Sequence, residues 1–507
     1  MLRVAVVGSG PAGLYTAEAL VKQSAALPAP VRVRVDVLDR LPTPYGLVRY
    51  GVAPDHKSIK SVANYLRRVL ESQDVRFLGG VHFGDDVTRS DLLEVYDAVV
   101  YATGAMRDRR LGIDGEDLPG SHAATDFVNW YCGHPDLAAD RFTLDAESVA
   151  VIGVGNVAVD VARILVRDVS ELAETDIPEP VIEALRASRV REVHVIGRRG
   201  PAQAKFTTKE LRELGELPGV SVSVEGAEMA LSGGFDSSDS SASLAESDRR
   251  VRGNLVAMNK WLEAAAAGDG APGDGSPNGD GGRRLRVRFW LRPVEIHPSP
   301  AGTVGGISLE RTRLTAEGKF EGTGETETIP VQMVLRSVGY QSVPLAGVPF
   351  DARSHTVPHA EGRVLGPDGQ PLPGEYVAGW LKRGPSGVIG TNKADAAETV
   401  RSLLADLVGG ASGAVSGAGA SGAGVAASGA AAPPRAGLLK YPDPDPDQPE
   451  SPSPLAPVLA DRGIDPVSYD EWLRIEAAEA ALAAKLGRGE RVKLPGRDAL
   501  WSACRPD

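Results

Sequence analysis

The chain has only two cysteines, Cys132 and Cys504, among 507 residues, and no CxxC pair. That excludes a redox dithiol, a four-cysteine iron–sulfur cluster and a CxxC-type zinc site within this chain. Both thiols are expected to be reduced packing residues. There is no excess of positive charge either. Lys and Arg number 55 against 67 Asp and Glu, a formal net charge of −12, which removes any global argument for nucleic acid. No apolar run is long enough to cross a bilayer; the stretch from Gly409 to Ala432 is long but lacks Leu, Ile and Phe. The N-terminus has no signal-peptide pattern, because Arg3 leads straight into a strand-like run. The expectation is a cytoplasmic protein of two or three domains, with no membrane and no nucleic acid as partner.

What is present begins with Val4-Ala5-Val6-Val7-Gly8-Ser9-Gly10-Pro11-Ala12-Gly13. A β-branched run, G-x-G-x-x-G and a helical pattern from Leu14 to Val21 make a dinucleotide-binding turn. Gly8 permits the tight turn, Gly10 lets the backbone approach a pyrophosphate, and Gly13 lets helix and strand pack closely. Phosphates then sit at a helix N-terminus, where N–H groups are unpaired. A second strand, Arg34 to Leu38, ends in Asp39. That carboxylate suits a ribose and repels a 2′-phosphate, which points to NAD or FAD.

The following stretch, residues 41–56, holds three prolines and two glycines and reads as a loop without regular structure. Its apolar residues Leu47, Val48 and Val52 suit a ligand pocket, with Leu47 against a flavin and His56 nearby. A lone histidine is more often a packing residue than a catalyst. An amphipathic helix is expected over 58–71, strands at 75–78 and 81–84 (around Phe83), and another at 97–104.

The nucleotide pattern then repeats. Ser148 to Ile152 leads into Gly153-Val154-Gly155-Asn156-Val157-Ala158 and a helix through Leu165. Here the next strand, Val193 to Ile196, ends in Gly197-Arg198-Arg199-Gly200. Arginines can clamp a 2′-phosphate, although a solvated pair is the plainer reading. Two fingerprints with opposite chemistry at the strand end imply one FAD or NAD site and one NADP site. Between Arg186 and Arg212 eight basic residues face two acids, a basic island that suits NADP phosphates or steers an acidic protein.

Residues 231–240 and 268–282 are Gly/Ser/Asp-rich, with a helical stretch at 243–267 between them. Strands are expected at 285–291, around 305–314 and at 329–338, the last returning the chain to the first domain. Another strand, 374–380, ends at Trp380, which is either core or an aromatic face for a ligand. A glycine-rich turn with Gly387, Val388 and Ile389 follows, then a helix from 393 to 407 that Thr391 or Asn392 can cap. Residues 409–459 are a low-complexity linker whose composition buries too little apolar area to order itself. Ser468-x-x-Glu471 opens a final helix, expected to pack on the first domain.

The stretches 8–13, 41–56, 151–165, 197–214 and 379–396, above all GLVRYGVAPDH and WLKRGPSGVIGTNK, resemble the adrenodoxin reductase-like ferredoxin–NADP reductases, including the actinobacterial type. The resemblance implies an α/β fold of two Rossmann-like domains in a glutathione-reductase-like arrangement. The FAD domain would comprise 1–105, 334–408 and 460–507, with an NADP domain, 106–333, inserted. It implies FAD contacts from Ala12, Asp39, Leu47, Phe83, Trp380 and Gly387-Val388-Ile389. NADP contacts would come from Arg109, Asn156, Val157, Arg198, Arg199, Glu210 and Gly387. His56 and Glu213 match the family's paired residues near the flavin, and Asp160 is a further matching acid. The partner would be a ferredoxin-type iron–sulfur protein, docking near 186–212. Two departures stand out: Lys57 replaces a usual Pro, and the low-complexity inserts are long.

Within enzymes, a disulfide reductase is disfavoured by the missing CxxC, and a glutamate-synthase-like subunit by the missing cysteine-rich domain. A flavin- and NADPH-dependent monooxygenase shares the cofactor motifs. A redox-sensing flavoprotein signalling through the linker is the rival outside catalysis.

Overall fold

Short β-branched runs form buried parallel strands because both faces of such strands are covered. In the computed structural model, which describes residues 1–230, 244–267, 282–315, 318–408 and 452–505, they build two sheets. The first has seven strands in the order His359–Ala360, Arg363–Leu365, Pro371–Val377, Ala98–Tyr101, Leu2–Val7, Val33–Asp39 and Val75–Gly79. Its central strands run parallel, with Val6 beside Val37 and Val100. The helices Pro11–Ala25 and Thr391–Leu407 pack together on one face with Trp472 and Ile475 of the helix Tyr469–Leu486.

The second sheet is parallel throughout, in the order Ser121–Ala123, Met333–Arg336, Ser148–Ile152, Glu192–Ile196, Arg283–Arg288 and Val220–Val224. A three-stranded antiparallel layer, Leu291–Pro298, Val304–Leu314 and Phe320–Ile329, stands beside it. The two chain crossings between the sheets pair with each other: Tyr340 lies against Asp108 and Gln341 against Arg107. This is the α/β architecture of two nucleotide-binding sheets expected from the repeated fingerprint.

Several local expectations change. Met333–Arg336 lies between Ser121–Ala123 and Ser148–Ile152, so the chain returns to the first sheet only after it. The stretch 41–56 contains one helical turn, Leu47–Tyr50, whose Val48, Arg49 and Tyr50 are buried. The helix over 58–71 is two, Lys57–Lys60 and Val62–Leu70, divided at Ser61. Residues 81–84 make only an isolated bridge, Phe83 to Val87. The run 285–291 divides between two strands, turning at Phe289-Trp290. Gly390, without a side-chain cap, precedes the helix Thr391–Leu407; the Thr391 hydroxyl instead accepts from Val388 N–H at 3.2 Å.

The runs 231–240 and 268–281 and residues 409–451 lie outside the described residues. The end of the stretch read as a linker does not. Ser453 is buried and donates to Asp36 (2.5 Å), and Leu455 and Leu459 join the core of the first domain. Local composition missed this because Pro and Ser there satisfy a specific neighbour rather than solvent. The helix Tyr469–Leu486 has the expected capping box, with Ser468 N–H donating to Glu471 at 2.7 Å, but it is not the final helix, because Gly496–Cys504 follows it. Between these two helices, buried Lys493 donates to the carbonyls of Arg49 (2.7 Å) and Cys132 (2.8 Å), tying the C-terminal segment to both halves. Both cysteines are free and buried. Among the described residues no helix is long and apolar enough to cross a membrane.

Candidate functional site

The first glycine turn is bordered by three other stretches of the chain. Gly8 has φ of +112°, and a Cβ there would sit 2.6 Å from the Ala102 carbonyl oxygen. A Cβ on Gly13 would overlap the Gly8 carbonyl, so strand and helix meet as closely as the fingerprint demands. Tyr45 N–H donates to Ser9 O at 3.1 Å, bringing Gly46 against Gly10. From the opposite end of the sequence, Gly379 packs on the Ala12 methyl. The helix after Gly10 has no side-chain cap, so its first N–H groups are left for a ligand. Those features fit a dinucleotide pyrophosphate.

Around this turn stand the other residues expected at a flavin. Leu47 starts the short helix beside it, and Phe83 packs on Tyr101 at 5.6 Å. The half-buried Trp380 lies 5.6 Å from the Tyr340 ring and donates from Nε1 to Ser386 O at 3.2 Å. Gly387 and Ile389 continue that turn, with Val388 projecting outward at 71% exposure. Asp39 differs from expectation. Its Oδ2 accepts from Ser9 N–H (3.0 Å) and Ser9 Oγ (2.5 Å), and Oδ1 from Leu41 N–H (3.0 Å). The carboxylate braces the turn and keeps only part of its acceptor capacity for a ribose.

The second turn is open. Gly153 has φ of +139°, with a would-be Cβ against Ser337 O, yet among the described residues nothing lies within 4 Å of a Cβ at Gly155. The helix Asn156–Val166 also begins without a side-chain cap. Asn156 Oδ1 accepts from Thr207 N–H at 2.9 Å, and Lys205 N–H donates to Val154 O at 2.8 Å. These bonds bring the arginine turn beside the glycine turn, while Val157 packs inward. Arg198 is exposed and Arg199 half-buried, and neither has an acidic partner among the described residues. Burial and the adjacent Arg198 charge lower the Arg199 pKa. Arg109 is exposed on the first crossing, its N–H donating to Gly339 O at 2.9 Å.

Between the two turns lies a buried cluster that joins the domains. His56 Nε2 is 2.8 Å from Asp160 Oδ1. Arg163, one helical turn beyond Asp160, donates to Asp160 (2.8 Å) and through two nitrogens to Asp55 (2.6 and 2.9 Å). Arg167 adds a bond to Asp55 at 2.8 Å. Burial alone would lower the His56 pKa, but the bond and charge of Asp160 outweigh it and raise it. Burial alone would raise the Asp55 carboxyl, but Arg163 holds it down at about 2.

Glu213 is not in this cluster. It pairs with Lys209 at 3.7 Å, and no hydrogen bond or ion pair joins it to His56. Glu210, one turn earlier on the same helix, is buried and accepts from Thr207 Oγ1 at 2.9 Å. Burial raises its pKa, and it feels the charges of Asp160 and His56. The partner expected for His56 is Glu213; the structure instead puts Asp160, expected only as a further matching acid, against His56, and sequence reading missed Asp55 and Arg163. The i, i+3 spacing of Asp160 and Arg163 was the available signal.

A family profile described as pyridine nucleotide-disulphide oxidoreductase matches residues 2–216. The NADPH-ferredoxin reductase FprA of Mycobacterium tuberculosis is 44% identical over 416 residues, covering 81% of this chain and 85% of that protein. The mitochondrial NADPH:adrenodoxin oxidoreductase of Arabidopsis thaliana is 41% identical, covering 80% of this chain and 82% of its own length. Among solved structures, Mycobacterium tuberculosis FprA in complex with NADPH superposes with a TM-score of 0.83 at 40% identity, covering 99% of both chains.

Proposed function

Because the chain belongs to the family of NADPH-ferredoxin reductases and NADPH:adrenodoxin oxidoreductases, we propose that it oxidises NADPH and reduces a ferredoxin-type iron–sulfur protein, with FAD held in the first domain. FAD, when bound, supplies the conversion of one hydride into two single-electron deliveries. The observation that carries the reading is the contrast at the two strand ends. Asp39 is turned onto its own glycine loop, whereas Arg198 and Arg199 stand without acidic partners among the described residues, beside an open helix start.

In this reading Gly8, Gly10, Ala12 and Gly13 cradle the FAD pyrophosphate, with Asp39 beside the ribose. Leu47, Phe83, Trp380 and the turn Gly387–Ile389 bound the flavin. Gly153, Gly155, Asn156 and Val157 take the NADPH pyrophosphate, and Arg198, Arg199 and Arg109 its remaining phosphate charge. His56 pairs with Asp160 where the domains meet, with Arg163 also 2.9 Å from His56 Nε2, and Glu210 feels the charges of both His56 and Asp160. The exposed Arg186, Lys205 and Arg212 make the 186–212 stretch the docking face for an acidic iron–sulfur protein.

The test is an anaerobic stopped-flow titration of the yellow holoprotein with NADPH and then with NADH, followed by oxidised ferredoxin. Fast bleaching by NADPH, slow bleaching by NADH and re-oxidation by ferredoxin are expected. Bleaching without re-oxidation by any iron–sulfur carrier, or oxygen uptake matched to a hydroxylated product, would move the function to an oxygenase or a sensor.

A further inference from the structure

The arginine turn is held from behind by the end of the strand Arg283–Arg288 and by the antiparallel layer that follows it. Gly197 N–H donates to Arg288 O (2.8 Å), and Leu291 N–H to Gly197 O (3.0 Å). Trp290 N–H donates to Arg199 O (3.3 Å), and Thr312 Oγ1 to Arg198 O (2.7 Å). Gly200 packs directly on the Trp290 ring. The Arg199 side chain does not point freely into solvent either: its guanidinium carbon lies 4.9 Å from the centroid of Phe320. That ring opens the strand Phe320–Ile329 and leans on Trp290 at 6.1 Å, 35° between planes.

An arginine beside another arginine is repelled by it, and a long side chain with no acidic partner samples many rotamers. An aromatic face within about 6 Å of a guanidinium restrains it and leaves its in-plane N–H groups available. We infer that Phe320 is a positioning residue for nucleotide choice: its ring holds Arg199 ready for a 2′-phosphate and thereby sets the preference for NADPH over NADH. The inference rests on the proposed NADPH site. No property of the glycine turns would reveal it, because Phe320 comes from a separate antiparallel layer more than a hundred residues later in sequence.

The experiment is calorimetric binding of 2′,5′-ADP and 5′-ADP to the full-length holoprotein, with variants Phe320→Leu and Phe320→Met. Both keep apolar contact with Trp290 and remove the ring face; the second guards against a folding failure of the first. Affinity for 2′,5′-ADP should fall about three- to fivefold in each, as expected for one partly exposed cation–π contact, with 5′-ADP unchanged. Phe320→Tyr should bind like wild type. In an Arg199→Ala background the Phe320 substitutions should have no further effect. Unchanged affinity for 2′,5′-ADP in both Phe320 variants, or an equal loss for both ligands, overturns the inference alone. No preference in the wild type overturns the site reading beneath it.

Discussion

The two glycine turns share a backbone design and differ in how much chain surrounds them. The first is closed in by segments from residues 39–46, 101–102 and 379, so four parts of the sequence meet there. Among the described residues, the second has open space over Gly155 and arginines without acidic partners at its rim. Enclosure by several segments suits a ligand that stays, because its release would need many contacts to part together. An open rim of charge suits a ligand that arrives and leaves. In the proposed assignment the same local motif serves a resident and an exchanging nucleotide, and the difference lies in the neighbours.

The largest way to break this contrast is Gly13→Ala. The new methyl would overlap the Gly8 carbonyl, and we expect at least about 3 kcal/mol of lost stability, the upper end of overpacking. Flavin absorbance per protein in the purified variant, with a denaturation curve, reads the outcome; full flavin content would refute the close packing. Arg199→Ala should act only on the open turn. Losing charged hydrogen bonds worth about 1.5–3 kcal/mol should raise the NADPH KM about 10- to 100-fold and leave the NADH KM nearly unchanged. Equal effects on both nucleotides would end the assignment.

The buried cluster that joins the turns gives a pH signature of two signs. Asp55 lies at about 2 against an ordinary 3.8. Its contribution, about 2 kcal/mol, is present above pH 3.8 and is lost as pH falls toward 2. His56 is shifted upward from 6.5. Its contribution is present below pH 6.5 and disappears as pH rises through the raised pKa. Denaturation of wild type, Asp55→Asn and His56→Gln across pH 3 to 9 should separate them: the Asp55→Asn deficit is largest at neutral pH, and the His56→Gln deficit shrinks toward alkaline pH. A His56→Gln deficit that grows with pH would contradict the Asp160 pairing. Smallest is Gly155→Ala, where the methyl meets nothing within 4 Å. Stability should stay within about 0.5 kcal/mol while NADPH binding weakens, because only the ligand's space is taken.

Much of the site was legible from sequence where chemistry is local. Gly8, Gly13 and Gly153 sit where a Cβ cannot, so their spacing alone located both turns. Ser468 and Glu471 cap a helix through bonds three residues apart, and the pattern shows in the letters. The reading failed where partners are distant. Leu47–Tyr50 folds as a helical turn in a Pro- and Gly-rich stretch because Arg49 pairs in the core with Glu479, 430 residues later. Met333–Arg336 joins the second sheet because the space between two strands there is open to it, which no local pattern records.

By itself the sequence determined the two dinucleotide turns, the opposite charge at their strand ends and the α/β class, since each depends on residues within one turn of chain. The tertiary structure decided that Asp39 braces Ser9, that Asp160 rather than Glu213 bonds to His56, and that Asp55 is gripped from the other domain by Arg163. Those outcomes depend on which groups are left to satisfy one another once water is excluded, and a buried charge takes whichever partner the packing brings within about 3 Å.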